Sequence, residues 1–183
     1  DTLLDLKRLY TLWYFSKSLK NKEGNILDIG CLKGGAGFAM SKINRRGNTY
    51  LIDTFDGLVE NENYHKKGHF VFNDIDYVKN KIKALKLKNT KVIKGKFPQE
   101  TTKYIKGKKY KLCHIDVNTF NSTKLSFNYL RNKIIKDGII IFDDYGIYST
   151  DSIKKFVDNI SKKFSKDFTF INNYMGQCIL IKK

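Results

Sequence analysis

A short apolar run, Ile26 to Ile29, gives way to a glycine-rich turn in the stretch Asn25-Ile26-Leu27-Asp28-Ile29-Gly30-Cys31-Leu32-Lys33-Gly34-Gly35-Ala36-Gly37. No other stretch constrains the fold as tightly. The run reads as a strand, the glycines as a tight turn, and the residues from about Lys33 as the start of a helix. Glycine suits such a turn because a sharp bend and close approach to a ligand leave no room for a Cβ. The helix start offers unpaired N–H groups and the positive end of a dipole to something electron-rich. The spacing Asp-x-Gly-x-x-x-Gly is not the dinucleotide fingerprint, since Leu32 stands at its second glycine. A nicotinamide dehydrogenase is disfavoured on that ground. The second strand pattern, Thr49 to Ile52, ends at Asp53. In doubly wound sheets an acidic side chain there accepts hydrogen bonds from ribose hydroxyls. With S-adenosylmethionine as ligand, the glycine turn faces the methionine end and Asp53 holds the ribose.

The remaining chain alternates helical and strand patterns. Residues 2–20 carry Leu3, Leu6, Leu9, Leu12, Trp13 and Leu19 at helical spacing. Tyr10, Tyr14 and Phe15 give this leading helix more than one apolar face, to pack on the domain or on a partner subunit of a homodimer. A helix through Phe38, Met40 and Ile43 closes at Gly47. The segment from Thr54 to Asn73 is the longest irregular stretch and holds His65 and His69. It follows a strand's C-terminal end, where α/β ligands bind, and loops of this length are usually functional or mobile. Ile75, Val78, Ile82 and Leu85 share one helical face. Lys91 to Lys94 reads as a third strand, with Pro98 in the first turn of a short helix.

Tyr110 to Asp116 reads as a fourth strand. Asn121 or Ser122 can cap a helix expected to run to Lys136, with Gly138 as its stop. Ile139 to Phe142 is apolar throughout, as a central parallel strand should be, and ends in Asp143-Asp144. A helix from about Asp151 to Phe164 follows. Phe168 to Ile171, a turn at Asn172-Asn173, and Cys178 to Ile181 form a hairpin at one sheet edge. The pattern predicts one α/β domain over 1–183, with a leading helix in 1–20 and a doubly wound, Rossmann-like core in 24–183.

The net charge of +17 invites a nucleic-acid partner. Arginine, however, occurs only at Arg8, Arg45, Arg46 and Arg131, so nearly all of the 35 basic residues are lysines. The lysines are scattered over almost every helix, with no arginine–aromatic platform for stacking bases. Compositional bias is the preferred explanation, and nucleic acid is disfavoured. No apolar run approaches the length of a membrane span. Cys31, Cys113 and Cys178 form no C-x-x-C pair. Cys113 and Cys178 fall in strands as buried thiols, and a reducing, cytoplasmic setting is expected. The chain opens at Asp1 rather than Met, so an upstream segment is expected.

Asp116, Asp143 and Asp144 all stand at C-terminal ends of parallel-strand patterns. Neighbouring strands lie about 4.8 Å apart, so side chains beyond their ends can converge. Gathered carboxylates are hard oxygen ligands suited to Mg²⁺ or Ca²⁺, and without a cation they raise one another's pKa. Helix capping alone would explain Asp143-Asp144; all three beside an adenosine-type site favour a metal.

Five motifs now occur in order: Asp28-Ile-Gly30 with Gly34-Gly35, Asp53-Thr54-Phe55-Asp-Gly57, Gly95-Lys96-Phe97-Pro98, His114-Ile-Asp116 with Ser122-Thr123, and Asp143-Asp144-Tyr145-Gly146. Together, over about residues 20–160, they resemble the macrocin O-methyltransferase family, a metal-dependent branch of class I S-adenosylmethionine methyltransferases. The resemblance implies a seven-stranded sheet with the last strand antiparallel. It implies O-methylation of sugar hydroxyls in natural-product or surface-glycan precursors. Mg²⁺ would be held by Asp116, Asp143 and Asp144. Cofactor contacts are expected from Asp28, Gly30, Cys31, Lys33, Gly34, Gly35, Ala36, Asp53, Thr54, Phe55, Gly95, Lys96, Phe97 and Asp116. Two positions depart: Asn118 stands where the family usually has a second Asp, and Ala36 where Ser is frequent. Catechol O-methyltransferase shows a similar metal arrangement, but its catalytic Lys falls at Thr119.

Asp116, as metal ligand, and His65 or His69, as proton acceptors, are the catalytic candidates. His114, inside a strand, reads as a packed, hydrogen-bonded residue. Two rivals remain: an RNA methyltransferase, whose substrate binding would be salt-sensitive, and a non-catalytic module that binds only the cofactor.

Overall fold

A computed structural model describes residues 1–62 and 64–183; Asn63, in the long irregular stretch, lies outside them. The elements alternate as the patterns predict: α1 (Leu6–Ser18), β1 (Asn25–Ile29), α2 (Gly35–Ile43), β2 (Thr49–Asp53), α3 (Ile75–Ala84), β3 (Thr90–Lys94), β4 (Tyr110–Ile115), α4 (Phe120–Leu130), β5 (Ile134–Phe142), α5 (Asp151–Lys163), β6 (Phe168–Asn172) and β7 (Cys178–Lys182). The sheet order is β3-β2-β1-β4-β5-β7-β6. Every pairing is parallel except those of β7, which runs antiparallel to β5 and β6. The chain winds outward from β1 to β3, then restarts at β4 on the other side. The ends of β1 and β4 therefore flank the crevice where doubly wound sheets bind ligands.

Side-chain alternation splits the core between two faces. Ile139 and Ile141 turn toward Leu12 of α1, Leu19 just past its end and Met40 of α2. Ile140 and Phe142 turn toward Phe127 of α4 and Val157 of α5. A third cluster joins Phe38, Leu51, Phe55 and Val78 around α2 and α3. The inner face of α1 thus packs on this sheet, while Leu6, Tyr10, Trp13 and Tyr14 remain exposed. Asp5 starts α1 by accepting the Lys7 and Arg8 backbone N–H groups at 2.9 and 3.0 Å.

Two local expectations fail. Helix α4 stops at Leu130 instead of Lys136, and Gly138 lies inside β5. Ile134 pairs with Tyr110 and Ile139 with Leu112, so the residues between them bulge from the strand. A Cβ on Gly138 would stand 2.8 Å from the Ile135 carbonyl oxygen, so the glycine serves that bulge. The apolar Ile134-Ile135 pair continues helical spacing, but strand pairing buries Ile134 and prevails. Pro98 sits in a turn ahead of a 3-10 segment, Thr102–Tyr104, with no α-helix there. Helix α2 begins at Gly35, two residues beyond Lys33. Among the described residues no helix is long and apolar enough to cross a membrane. All three cysteines are buried and unpaired.

Candidate active site

The glycine turn after β1 is set by backbone contacts on both sides. The Gly30 N–H donates to the Ile52 carbonyl at 2.8 Å, and a Cβ there would stand 1.7 Å from the Asp116 carbonyl oxygen. Only glycine lets the chain leaving β4 cross so close, at a φ of 85°. Asp53, ending β2, is gripped from two directions. Its Oδ2 accepts the Leu32 N–H and its Oδ1 accepts the Phe55 N–H, both at 2.8 Å. Burial raises its pKa, against those two hydrogen bonds.

A cavity of about 510 Å³ opens above these strand ends. Asp28, Gly30, Cys31, Ala36, Asp53, Thr54, Gly95, Lys96, Phe97 and Asp116 line it, with Asp143, Asp144 and His65. Four expected cofactor contacts do not. Lys33 is exposed, with its Nζ 5.2 Å from the centre of the Phe72 ring. Gly34 is the N-cap of α2, and the Gly35 N–H donates to the Asp1 carbonyl at 2.9 Å. Phe55 is buried in the third core cluster, and its backbone reaches the site only through Asp53. His69 also stays outside the cavity, its Nδ1 accepting the Lys66 N–H at 3.2 Å. Thr2, Leu3 and Leu4 close one wall, and Leu58, Val59 and Phe70 another.

The long segment after β2 is latched over this cavity. Glu62 accepts the Phe120 N–H at the start of α4 and the Ser152 hydroxyl of α5, both at 2.8 Å. Glu60 accepts the Asn121 amide at 2.8 Å. A carboxylate is favoured at a helix N-terminus, so the two acids suit their anchor points.

The carboxylates gather as the strand ends require, and they bring company. Asp143 Oδ2 accepts from Arg8 Nη1 at 2.6 Å, and its Oδ1 accepts from Gln177 Nε2 at 2.8 Å. Asp144 Oδ2 accepts from Asn118 Nδ2 at 2.5 Å, while its Oδ1 is 3.7 Å from Arg8. Asn118 and Asp144 both take left-handed backbone angles, which Asn and Asp tolerate better than most residues. Buried His114 is bonded through Nδ1 to Asp28 Oδ1 at 2.7 Å, matching the packed role its strand position suggests.

Among the described residues, His114, Asp116 and Asp143 can each bring one ligand atom within 4.8 Å of the others. Asp116 and Asp143 thus fit a divalent cation, with His114 beside them, while Asp144 adjoins the group without joining it. Burial, then the charges of Asp143 and Asp144, raises the Asp116 pKa well above the carboxylate range. Burial and Asp143 push Asp144 up to about 7. Burial opposes charge on His114, but Asp143 and Asp28 outweigh it and raise its pKa. The Arg8 guanidinium offsets part of this clustered acidity.

Sequence reasoning missed Arg8 and Gln177. Arg8 did leave a trace: it falls between Leu4 and Leu12 at helical spacing, a lone charge on the inward stripe of α1. Gln177 left none, because its role arises only where β7 returns beside β5.

This sheet order, a glycine turn after β1, an acid after β2 and one cavity between them define a class I S-adenosylmethionine-dependent methyltransferase. Solved structures agree on the fold. The O-methyltransferase NovP superposes with a TM-score of 0.84 at 19% identity, covering 100% of this chain and 82% of that one. The calicheamicin methyltransferase CalS11 gives 0.81 at 13% identity, covering 96% and 79%. An rRNA methylase from Streptococcus thermophilus gives 0.68 at 12% identity, covering 100% and 99%. No curated protein matches the sequence. The family model for macrocin O-methyltransferase (TylF) matches residues 3–174, and the chain belongs to that family. It is an S-adenosylmethionine-dependent O-methyltransferase.

Proposed function

We propose that the protein methylates a hydroxyl of a sugar or a similar polar small molecule, with a divalent cation such as Mg²⁺ assisting. The carrying observation is the convergence of Asp116 and Asp143 in the same cavity as Asp53 and the glycine turn. Family membership supports the reading, as does CalS11, described as a TDP-rhamnose 3'-O-methyltransferase. S-adenosylmethionine supplies an electrophilic methyl group, and a bound divalent cation lowers the pKa of coordinated hydroxyls.

In this reading Asp53 receives the ribose hydroxyls, held in place by the Leu32 and Phe55 N–H groups. Gly30, Cys31 and Ala36 leave backbone and small side chains along the methionine end, and Gly95, Lys96 and Phe97 border the adenine side. Asp116 and Asp143 would hold the cation, with Asp144 adding charge beside it. Wall residues and the latched segment exclude water and fix the acceptor for in-line attack. Asn118 cannot take a proton at the position where the family usually has Asp. His65, the loop histidine on the cavity, is the proposed proton acceptor.

The test is methyl transfer from S-adenosylmethionine to a panel of nucleotide sugars and glycan precursors, with Mg²⁺ or EDTA, read by mass spectrometry. RNA is offered in parallel at low and moderate salt. Transfer to a sugar that EDTA abolishes is expected. Transfer to RNA alone, with a steep salt slope, would overturn the acceptor assignment. Cofactor binding with no transfer to any acceptor would favour a non-catalytic role.

A further inference from the structure

We propose that the edge of the sheet opposite the cavity is a docking face for an anionic lipid bilayer, held by lysine charge and leaving the cavity open to solution. This face is independent of the acceptor and the cation proposed above.

Every strand but β7 runs the same way, so one edge of the sheet gathers the segments that lead into those strands, together with the end of β7. They are residues 17–24, 42–48, 83–89, 105–109, 131–137, 162–167 and 182–183. These segments hold 20 of the 35 Lys and Arg but three of the 18 Asp and Glu. That is the entire net charge of +17, and the rest of the chain carries 15 of each sign. Lysines that read as scattered along the sequence therefore converge in the fold. A lysine-rich composition alone would raise the charge at both ends of the molecule. Helix dipoles favour cations at this edge, but five of the 20 stand in a last helical turn: Lys17, Lys42, Lys83, Lys162 and Lys163.

The segments join in sheet order. The Thr49 N–H donates to the Asn89 carbonyl at 2.8 Å, Ile26 to Asn48 at 2.9 Å, Asn25 to Lys109 at 3.1 Å and Tyr110 to Lys133 at 3.0 Å. Seven strands about 4.8 Å apart make a row about 29 Å wide, and helix ends on both faces broaden it into a patch. Glu23, Asp137 and Asp167 are paired with Arg46, Lys22 and Lys182 at 3.1, 2.8 and 3.3 Å. The other cations of the patch have no carboxylate partner among the described residues.

A bilayer fits this patch better than a nucleic acid does. All its cations but Arg45, Arg46 and Arg131 are lysines, which supply charge without the planar two-pronged phosphate grip of arginine. Its one aromatic residue, Phe164, packs on Phe127, so no ring is offered to a base. Clustered lysines suffice to attract anionic headgroups. Lys17 also lies 4.7 Å over the ring of exposed Trp13, and tryptophan favours the bilayer interface. The six residues of β4 put the cavity about 20 Å away, at the far end of the sheet.

The experiment is sedimentation of the full chain with vesicles of phosphatidylcholine, alone or with about 30% phosphatidylglycerol. It is run at about 0.1 M and about 1 M salt, which shortens the screening length from about 10 Å to about 3 Å. Expected is binding to the anionic vesicles alone, weakened about tenfold or more at high salt. Exposed Lys106, Lys108 and Lys166, all changed to Glu, should weaken binding about tenfold or more. Exposed Lys7, Lys66 and Lys67, changed likewise, alter the net charge equally at the cavity end and should leave binding intact. Thermal melts check that both variants fold. Vesicle-bound protein should take up S-adenosylhomocysteine as well as free protein does. No preference for anionic vesicles, or equal loss in both variants, would overturn the docking face. Blocked cofactor uptake would overturn its orientation. Tighter binding to duplex RNA than to anionic vesicles, lost with the first three lysines, would give the face to nucleic acid instead.

Discussion

Replacing Arg8 by methionine removes the one guanidinium that touches the acidic cluster and keeps most of its apolar stem. Asp143, 1% exposed at its side chain, would lose a 2.6 Å partner, and Asp144 a cation 3.7 Å away. Breaking a buried ion pair from one side costs about 3–5 kcal/mol. The Arg8 side chain is 17% exposed, so a value near the low end, about 3 kcal/mol, is expected. For a chain of this size each kcal/mol lowers Tm by about 2–4 °C, giving a fall of roughly 6–12 °C in EDTA. A divalent cation at about 100 times its Kd returns about 2.7 kcal/mol, nearly the whole deficit. Cation addition should therefore raise Tm more in Arg8→Met than in the parent protein, where the guanidinium competes for Asp143. Circular dichroism melts with EDTA or Mn²⁺ measure both effects. Arg46→Met is the control, since its partner Glu23 is exposed and should contribute little. Equal melting of Arg8→Met and the parent in EDTA would refute the reasoning.

Asp53→Ala should weaken S-adenosylhomocysteine binding about 10- to 100-fold by calorimetry, through loss of charge-assisted ribose hydrogen bonds of about 1.5–3 kcal/mol. Glu62→Ala should free the long segment, seen as faster proteolysis within residues 54–73 and faster exchange of the Phe120 amide. In EDTA, Asp144 keeps its proton up to about pH 7 when folded, against an ordinary value of 3.8, so the folded state binds more protons across that interval. Stability should then fall as pH rises from about 4 to 7. His114 adds the same sign, its contribution complete below the ordinary value of 6.5 and lost as pH passes its raised folded value. Arg8 from α1 and Asp116 and Asp143 at the strand ends face the same group, so the readout is the parent's urea-unfolding profile minus that of Asp144→Asn.

The sheet and the strand-end positions were legible because parallel strands are written as short apolar runs ending in acid or glycine. Asp53, Asp116 and Asp143 could be placed on that basis alone, since the C-terminal ends of such strands always face one crevice. Side-chain direction was not legible. Lys33 and Phe55 sit in the right motifs and point elsewhere, one to solvent and one into the core. The β5 bulge hid for a related reason: Ile134 and Ile135 satisfy helical and strand spacing equally, and only pairing with Tyr110 decides. Long-range partners were the least visible. The contacts of Arg8 and Gln177 with Asp143 join distant parts of the chain, and beyond the inward position of Arg8 no local pattern names the partner.

The position of Arg8 bears on the order in which the molecule can be made. Helix α1 leaves the ribosome before the strands it packs on, and its charge partner follows 135 residues later. Its apolar stripe waits equally long, for Leu12 and Leu19 rest on Ile139, Ile141 and Ile179. A nascent chain halted after α4 would hold this helix with much of its seat on the sheet unbuilt, and its aromatic outer face would add to the exposed surface. Contacts of such long separation repay their loop-closure entropy only late in folding. A helix made ahead of the strands it rests on is thus among the last to settle. It seals the acidic pocket only after β5 and β7 have closed the sheet, so partly made chains carry an open site.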